Sequence, residues 1–486
     1  MNDLAGARRV DARGTRWRTC AIVLAVLLAV SLVAAGLVWK RERDRGSAQE
    51  RVALAHGLAL HAAELRDAAP GTARDLGLAA VKIHSDGQTR AGLIDTLVGE
   101  RGAELTPDAS SEVALSGDGR IALTGAGDEV SVWDLTTWLD PKVVEKSDRI
   151  AALKGHKEDV GAVALSFDGR TALTGGDEGV TIVWDLTDPA KPIRTAALAG
   201  GKNAEDLGGV RAALSRDGHT AVIADDDGDV TVWDLTDRSR PVRLSVTRAP
   251  TSSVFRDLAL SADGGVAVTV DNDGAVTVWD LADPSRPARS ADRVLPAKSA
   301  EMAMSADGRA VLVGNAHRAG LWNLADRSRP VSTAVFDVPL ADMYDMALTS
   351  DGKTALLAGP SDSAILWDLS VPSRPARLAA LKGYAREIDS VALSADGGIA
   401  LAAGPGGVSL WDLRGLAEVV ADPELAACRG NPGAEIDKAD WARYAGGADW
   451  SDYGGEGMDF LAVCLINSGS DALSASVRRG GTQSPT

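Results

Sequence analysis

The stretch "DVTVWDLTD", Asp229 to Asp237, decides how the chain folds. Val230 and Val232 alternate with Thr231 and Trp233, the period-2 pattern of a β-strand, and Trp-Asp-Leu then ends in a turn. A near copy, "AVTVWDLAD", occupies Ala275 to Asp283. A Trp followed by Asp or Asn and then Leu occurs seven times, at Trp133, Trp184, Trp233, Trp279, Trp322, Trp367 and Trp411. A second marker, Ser/Thr-x-Asp-Gly, also occurs seven times, starting at Ser116, Ser166, Ser215, Ser261, Ser305, Thr349 and Ser394. It precedes each Trp by 17 or 18 residues, so two independent signals keep one register. A fixed period of 43 to 51 residues is the signature of a repeat architecture.

Each period decodes into strands. An apolar run such as "GAVALS" precedes the Asp-Gly, which makes a tight turn because Gly tolerates positive φ and Asp bonds its own backbone. A second strand follows, then a turn, then the strand ending in Trp-Asp-Leu. Loops such as "TDRSRP" and "ADPSRP" close on a proline that opens a fourth strand, a place where proline is tolerated. Four antiparallel strands per period make one propeller blade, and seven blades close a ring. The expected fold is all-β, a seven-bladed β-propeller over 101–420.

On these markers the chain resembles the WD40-repeat β-propeller family. "LKGH" (Leu153 to His156) is similar to the Gly-His of that family, and the resemblance implies a buried hydrogen-bonded set of His156, Asp177 and Trp184. The last blade has no proline-led fourth strand after Trp411, and "RGAELTP" (Arg101 to Pro107) is free to supply it. Joining the ends in this way removes an exposed edge.

Outside the repeat, residues 1–18 form a short basic tail, and Thr19 to Trp39 are 21 uncharged residues. As a helix they would run about 31 Å, the thickness of a bilayer core, with Trp17 and Trp39 at the interfaces. A single transmembrane helix is expected there. Residues 40–100 read as a helical neck, with apolar Val52, Leu54, Ala55, Leu58, Ala62 and Leu65 at helical spacing and Asp86 as an N-cap. His56 and His61 are five apart and read as ordinary helix residues rather than a metal pair. Residues 421–468 read as a cap carrying a possible Cys428–Cys464 disulfide, and 469–486 as a disordered tail. Basic residues nearly balance across the span, so the disulfide hint decides the orientation: cell membrane, single-pass, propeller extracytoplasmic. The layout is similar to the membrane-anchored C-terminal half of actinobacterial WD40-repeat signalling proteins. Only 18 residues stand before the span here, where those proteins often carry a signalling domain, so the resemblance leads to no expected catalytic function.

Charge bounds the partners. Residues 1–51 hold ten Lys/Arg against five Asp/Glu within a chain of net charge −17, so the rest carries −22. Such a body repels phosphate backbones, and nucleic acid is not an expected partner. No catalytic motif stands out: "DGKT" (Asp351 to Thr354) lies in a hairpin turn without the glycine a P-loop requires. "ADDDGDV" (Ala224 to Val230) lacks EF-hand spacing. Catalytic residues, cofactors and metal ligands are therefore expected to be none. The turns between second and third strands hold Asp128, Glu129, Asp177, Glu178, Asp225, Asp226, Asp227, Asp229, Asp271 and Asp273. In a propeller these share one rim, a candidate acidic surface for a basic protein partner. The opposite rim carries Lys191, Arg238, Arg240, Arg286, Arg327, Arg329 and Arg374 among acids. The expected function is a membrane-anchored, non-enzymatic scaffold for protein–protein interaction, with a sensory or signalling use. One alternative is an enzyme with its site in the central channel, which would need titratable residues on innermost strands that read mostly as Ala, Val, Leu and Ser. The other is a ligand-binding remnant of a larger signalling NTPase or kinase.

Overall fold

The structure, a computed structural model, describes residues 48–66, 68–106, 108–138, 140, 149–199, 209–249, 254–294, 301–383, 387–430 and 438–448. The described residues fall into two compact units, one of 48–65, 71–92 and 438–448, the other of 66, 68–70 and 93–430.

The larger unit contains seven four-stranded antiparallel sheets, one per period of the sequence. The innermost strands are Glu112–Leu115, Val160–Leu165, Val210–Leu214, Phe255–Leu260, Glu301–Met304, Asp345–Leu348 and Ser390–Leu393. "DVTVWD" is the third strand of blade three, Asp229–Asp234. Val230 and Val232 face the core between blades three and four. The expected ring closure holds: Gly102–Thr106 pairs antiparallel with Gly407–Asp412, so blade seven takes its outer strand from the chain ahead of blade one.

The seven Asp-Gly turns share one construction. In blade one, Ser116 Oγ donates to Asp118 Oδ1 (2.7 Å) and accepts the Ile121 N–H, while Asp118 Oδ1 takes the Arg120 N–H. Gly119 sits at φ 72°, where a Cβ would be strained. The residue after each Ser or Thr also donates its N–H to the equivalent carbonyl of the next blade. The chain of donors runs Gly117, Phe167, Arg216, Ala262, Ala306, Ser350 and Ala395, which returns to Gly117, all at 2.8 to 3.0 Å. Seven backbone hydrogen bonds thus tie that end of the channel into a ring. Arg216 stacks there over Phe167, 3.4 Å from the ring centroid.

Six of the seven blade tryptophans separate into two groups for a reason visible two positions along the second strand. Thr124, Thr174 and Thr269 accept the indole N–H of Trp133, Trp184 and Trp279 at 2.9 to 3.0 Å. Blades three, six and seven carry Ile223, Leu357 and Ala402 at that position, and the buried Nε1 of Trp233, Trp367 and Trp411 has no partner among the described residues. In blade two the network extends further. His156 Nε2 lies 2.7 Å from Thr174 Oγ1, and His156 Nδ1 lies 2.7 Å from Glu178 Oε1. The expected set is therefore corrected in one member: the carboxylate is Glu178, because the tight turn points Asp177 outward to solvent.

In the smaller unit a helix over 48–65 (α1) joins Pro70–Ile83 (α2) and the start of Gly87–Gly99 (α3). Ala55, Leu58, Ala62, Leu76 and Ala80 are buried there. Asp86 caps α3 as expected: its Oδ1 accepts the N–H groups of Gln88 and Thr89, and its Oδ2 lies 2.7 Å from His56 Nε2. The Thr89 N–H bond, first of these, holds the Asp86 carboxyl well below the usual range. Leu416–Ala421 and Pro423–Gly430 (α4 and α5) follow blade seven, and Cys428 in α5 is buried and disulfide-bonded. Cys20 and Cys464 lie outside the described residues, as do 1–47 with the expected transmembrane helix and the 469–486 tail. Among the described residues no helix is long and apolar enough to cross a membrane.

Candidate site at the mouth of the central channel

A cavity of about 600 Å³ lies where the innermost strands begin. Antiparallel pairing puts the start of each innermost strand beside the turn between its second and third neighbours. Val210 pairs with Asp225 and Phe255 with Asp271. The cavity therefore opens on the rim that bears the acidic turns. The opposite end is the one tied by the ring of backbone bonds.

Seven equivalent side chains line this mouth, each four residues before a turn Ser or Thr: Glu112, Ala162, Arg211, Asp257, Glu301, Asp345 and Ser390. Arg256 and Asp389 join from one position earlier. The expectation of an innermost wall of Ala, Val, Leu and Ser is corrected here: those types follow, but the first position is ionisable in five blades of seven. The signal was present in the sequence at a constant offset. Its register against the channel emerged only once the strands had defined starts.

The ring positions do physical work for the fold. An innermost strand has a free edge, and its backbone groups need partners. Asp257 Oδ2 accepts the Met302 N–H of the next blade at 2.9 Å, and Asp345 Oδ2 accepts the Val391 N–H at 2.7 Å. Ser390 Oγ accepts the Val113 N–H at 3.2 Å and donates to Asp345 Oδ2 at 2.9 Å. Arg211 works in the opposite sense, donating to the carbonyls of Arg256 (2.7 Å) and Gly161 (3.3 Å). Arg256 pairs with Glu301 across blades at 2.5 Å. The Glu112 carboxylate accepts no hydrogen bond from the described residues, although its backbone is paired in the sheet.

The crowding shows in the acidities. Burial in the channel wall, then the charge of Asp345, pushes the Glu112 carboxyl up to about 8, against the opposing pull of Arg211. Burial and Asp257 push Glu301 up to about 9 despite its Arg256 partner, and burial takes Asp345 to about 7. Burial also raises Asp257 and Asp389. Glu112, Glu301 and Asp345 thus hold their protons well above the usual carboxylate range.

The ten expected rim acids divide by burial. Asp128, Asp177, Asp227 and Asp273 are exposed. Asp225, Asp229 and Asp271 are buried and serve the turns: Asp225 Oδ1 accepts the Asp229 N–H, and Asp271 Oδ1 accepts those of Asp273 and Ala275. Glu129 is half-buried and paired with Arg149 (2.7 Å) and Lys154 (2.8 Å), and Glu178 is held by His156. Asp226 is half-buried, its carboxyl raised by burial and eased by Arg211. "ADDDGDV" is thus a hydrogen-bonded turn, and among the described residues no group of three or more His, Cys, Asp or Glu is placed to hold a metal ion. On the other rim Arg238 and Arg327 are engaged, each 2.9 Å from the Trp-Asp carboxylate of a preceding blade, Asp185 and Asp280.

Residues 147–185 match the family of the WD domain, G-beta repeat. The fold is similar to the β-propeller domain of Cps50 (Swd1) from Myceliophteria thermophila. There the TM-score is 0.53 and the identity 16%, over 64% of this chain and 99% of that one. A chain in the crystal structure of the mitotic checkpoint complex gives a TM-score of 0.51 at 18% identity, over 65% of this chain and 92% of that one. A curated relative, the NAD(+) hydrolase ApTIR of an Actinoplanes species, is 41% identical over 95 residues. That stretch is 19% of this chain and spans 13% of the relative's length.

Proposed function

Because the chain is a WD40-repeat β-propeller, we propose that it is a non-enzymatic scaffold, receiving a protein partner on the rim where its channel opens. The observation that carries the reading is that coincidence. The cavity mouth and the exposed Asp128, Asp177, Asp227 and Asp273 lie on the same face, beside the cations Lys154, Arg248 and Arg318 that pair with other acids of that rim. Such a face steers a basic partner and suppresses acidic ones. Fold alone does not decide function.

The channel-enzyme alternative gains the titratable cluster it needed. Three of its carboxylates, Asp257, Glu301 and Asp345, are already engaged in blade-to-blade bonds, which supports a binding pocket over a catalytic one. The likeness to a NAD(+) hydrolase covers too little of that relative to bring an activity with it.

Anchoring by residues 19–39 completes the proposal, with the propeller on the extracytoplasmic side. The disulfide at Cys428 supports an oxidising compartment. The test is capture of neighbours by crosslinking from intact cells, comparing wild type with Asp227→Lys/Asp273→Lys. Loss of the same partners at low salt is expected. Unchanged capture overturns the rim, and recovery of the chain in the soluble fraction overturns the anchor.

A further inference from the structure

We propose that the channel mouth is a receptor for a guanidinium or primary ammonium group on an unbranched aliphatic stem. This rests on the scaffold reading only for the source of the cation, and names what the pocket of that scaffold recognises.

Size comes first. About 600 Å³ is within the range of small-molecule sites. Charge comes second. Glu112, Asp257, Glu301, Asp345 and Asp389 face Arg211 and Arg256, and both guanidiniums are committed. Arg256 is held by Glu301, and Arg211 is held by two carbonyls. Neither can swing to neutralise the remaining wall. Glu112 is a third and separate sign. The other ionisable ring positions are tied to a neighbouring blade. Its carboxyl is half-buried on the wall of the mouth, and no hydrogen-bond donor among the described residues reaches it. A cation held between Glu112 and Asp389, with its donors forked towards Asp345, would supply what the wall lacks.

The acidities support the same arrangement. Burial in the wall and mutual repulsion keep protons on Glu112, Glu301 and Asp345. A guest bearing positive charge favours the ionised forms and displaces those protons. Binding therefore releases protons at neutral pH, and it tightens as pH rises from 6 towards 8, before the guest's own ammonium titrates.

The experiment is isothermal titration calorimetry on the full chain with four probes: Nα-acetyl-arginine amide, Nα-acetyl-lysine amide, spermidine, and the neutral isostere Nα-acetyl-citrulline amide. Titration in two buffers of different ionisation enthalpy counts the protons released. The expected result is binding of the cations with proton release, no binding of the citrulline probe, and at least tenfold weaker binding to Glu112→Gln/Glu301→Gln. Glutamine keeps the shape of a protonated carboxyl. A second variant, Ala162→Lys, places a tethered ammonium at a ring position and should abolish binding while the thermal transition is retained. Spermidine binding tighter than both amino-acid probes identifies a free polyamine as the guest. The reverse order, strengthened when the arginine is set in an alanine pentapeptide, identifies a partner's side chain. No cation binding at millimolar concentration, equal binding of citrulline, or binding that survives both variants overturns the inference. Failure here with rim-dependent capture intact leaves the scaffold standing, and the converse result separates the two the other way.

Discussion

Thr174→Val is the most informative single substitution for the blade architecture. Valine replaces a hydroxyl with a methyl of nearly the same volume, so packing is kept and two hydrogen bonds are lost. The Trp184 indole N–H donates to Thr174 Oγ1 at 2.9 Å, and His156 Nε2 lies 2.7 Å away. One assignment satisfies the whole chain. Trp184 donates to Thr174, the Thr174 hydroxyl donates to His156 Nε2, and His156 Nδ1–H donates to Glu178. Thr174 is fully buried and His156 is 7% exposed, so water cannot take the place of the hydroxyl. Each buried polar group left without a partner costs about 1–3 kcal/mol. The extra apolar contact of valine offsets part of this, which puts the net cost at about 2–4 kcal/mol. Thr269→Val strands only the Trp279 Nε1 and should cost about 1–2 kcal/mol. The reciprocal arm is Ala402→Ser, which offers Trp411 Nε1 the acceptor that blade seven lacks and should stabilise by about 0.5–1.5 kcal/mol. Urea midpoints followed by tryptophan fluorescence measure all three at constant transition slope. A Thr174→Val cost no larger than that of Thr269→Val would refute the reasoning.

Other expectations follow from the same geometry. Glu112, Glu301 and Asp345 titrate higher in the folded chain than in the unfolded one, so their contribution to stability is complete below about pH 4 and lost as pH rises through about 7 to 9. Urea midpoints should fall over that window, and Glu112→Gln should flatten the fall; a steeper fall in the variant contradicts the assignment. Gly117→Ala places a Cβ 1.9 Å from the Phe167 ring and should lower stability by about 1–3 kcal/mol. Phe167→Ala should rescue it, since equivalent turns already carry Ala262, Ala306 and Ala395, and lack of rescue in the double variant argues against the contact. Ser390→Ala frees the Val113 N–H at the seam between blades seven and one and should cost about 1 kcal/mol, with faster hydrogen exchange at Val113 as the local readout.

Much of this was legible because it repeats. Seven Trp-Asp/Asn-Leu ends and seven Asp-Gly turns stand at fixed spacing, and local chemistry explains each: alternation makes the strand, while Ser, Asp and Gly make the turn. Even the ring closure by Gly102–Thr106 could be read, since a missing fourth strand leaves an edge that something must cover. The buried His156 network was legible save for its carboxylate. The sequence alone does not say which of two adjacent acids, Asp177 or Glu178, points inward.

The candidate site was the least visible part. Glu112, Asp257, Glu301 and Asp345 are scattered over more than two hundred residues and recur in no shared motif beyond their offset from the turn. Closing the ring brings them to one mouth, and only there do burial and mutual repulsion give them a common chemistry. The rim acids show the same division. Asp225 and Asp227 look alike in "ADDDGDV", yet one is buried holding a backbone N–H and the other faces solvent. By itself the sequence determined the number of blades, their turns and their joining, because those depend on neighbours in the chain. The tertiary structure decided which charges meet, because that depends on distances between residues the chain holds far apart.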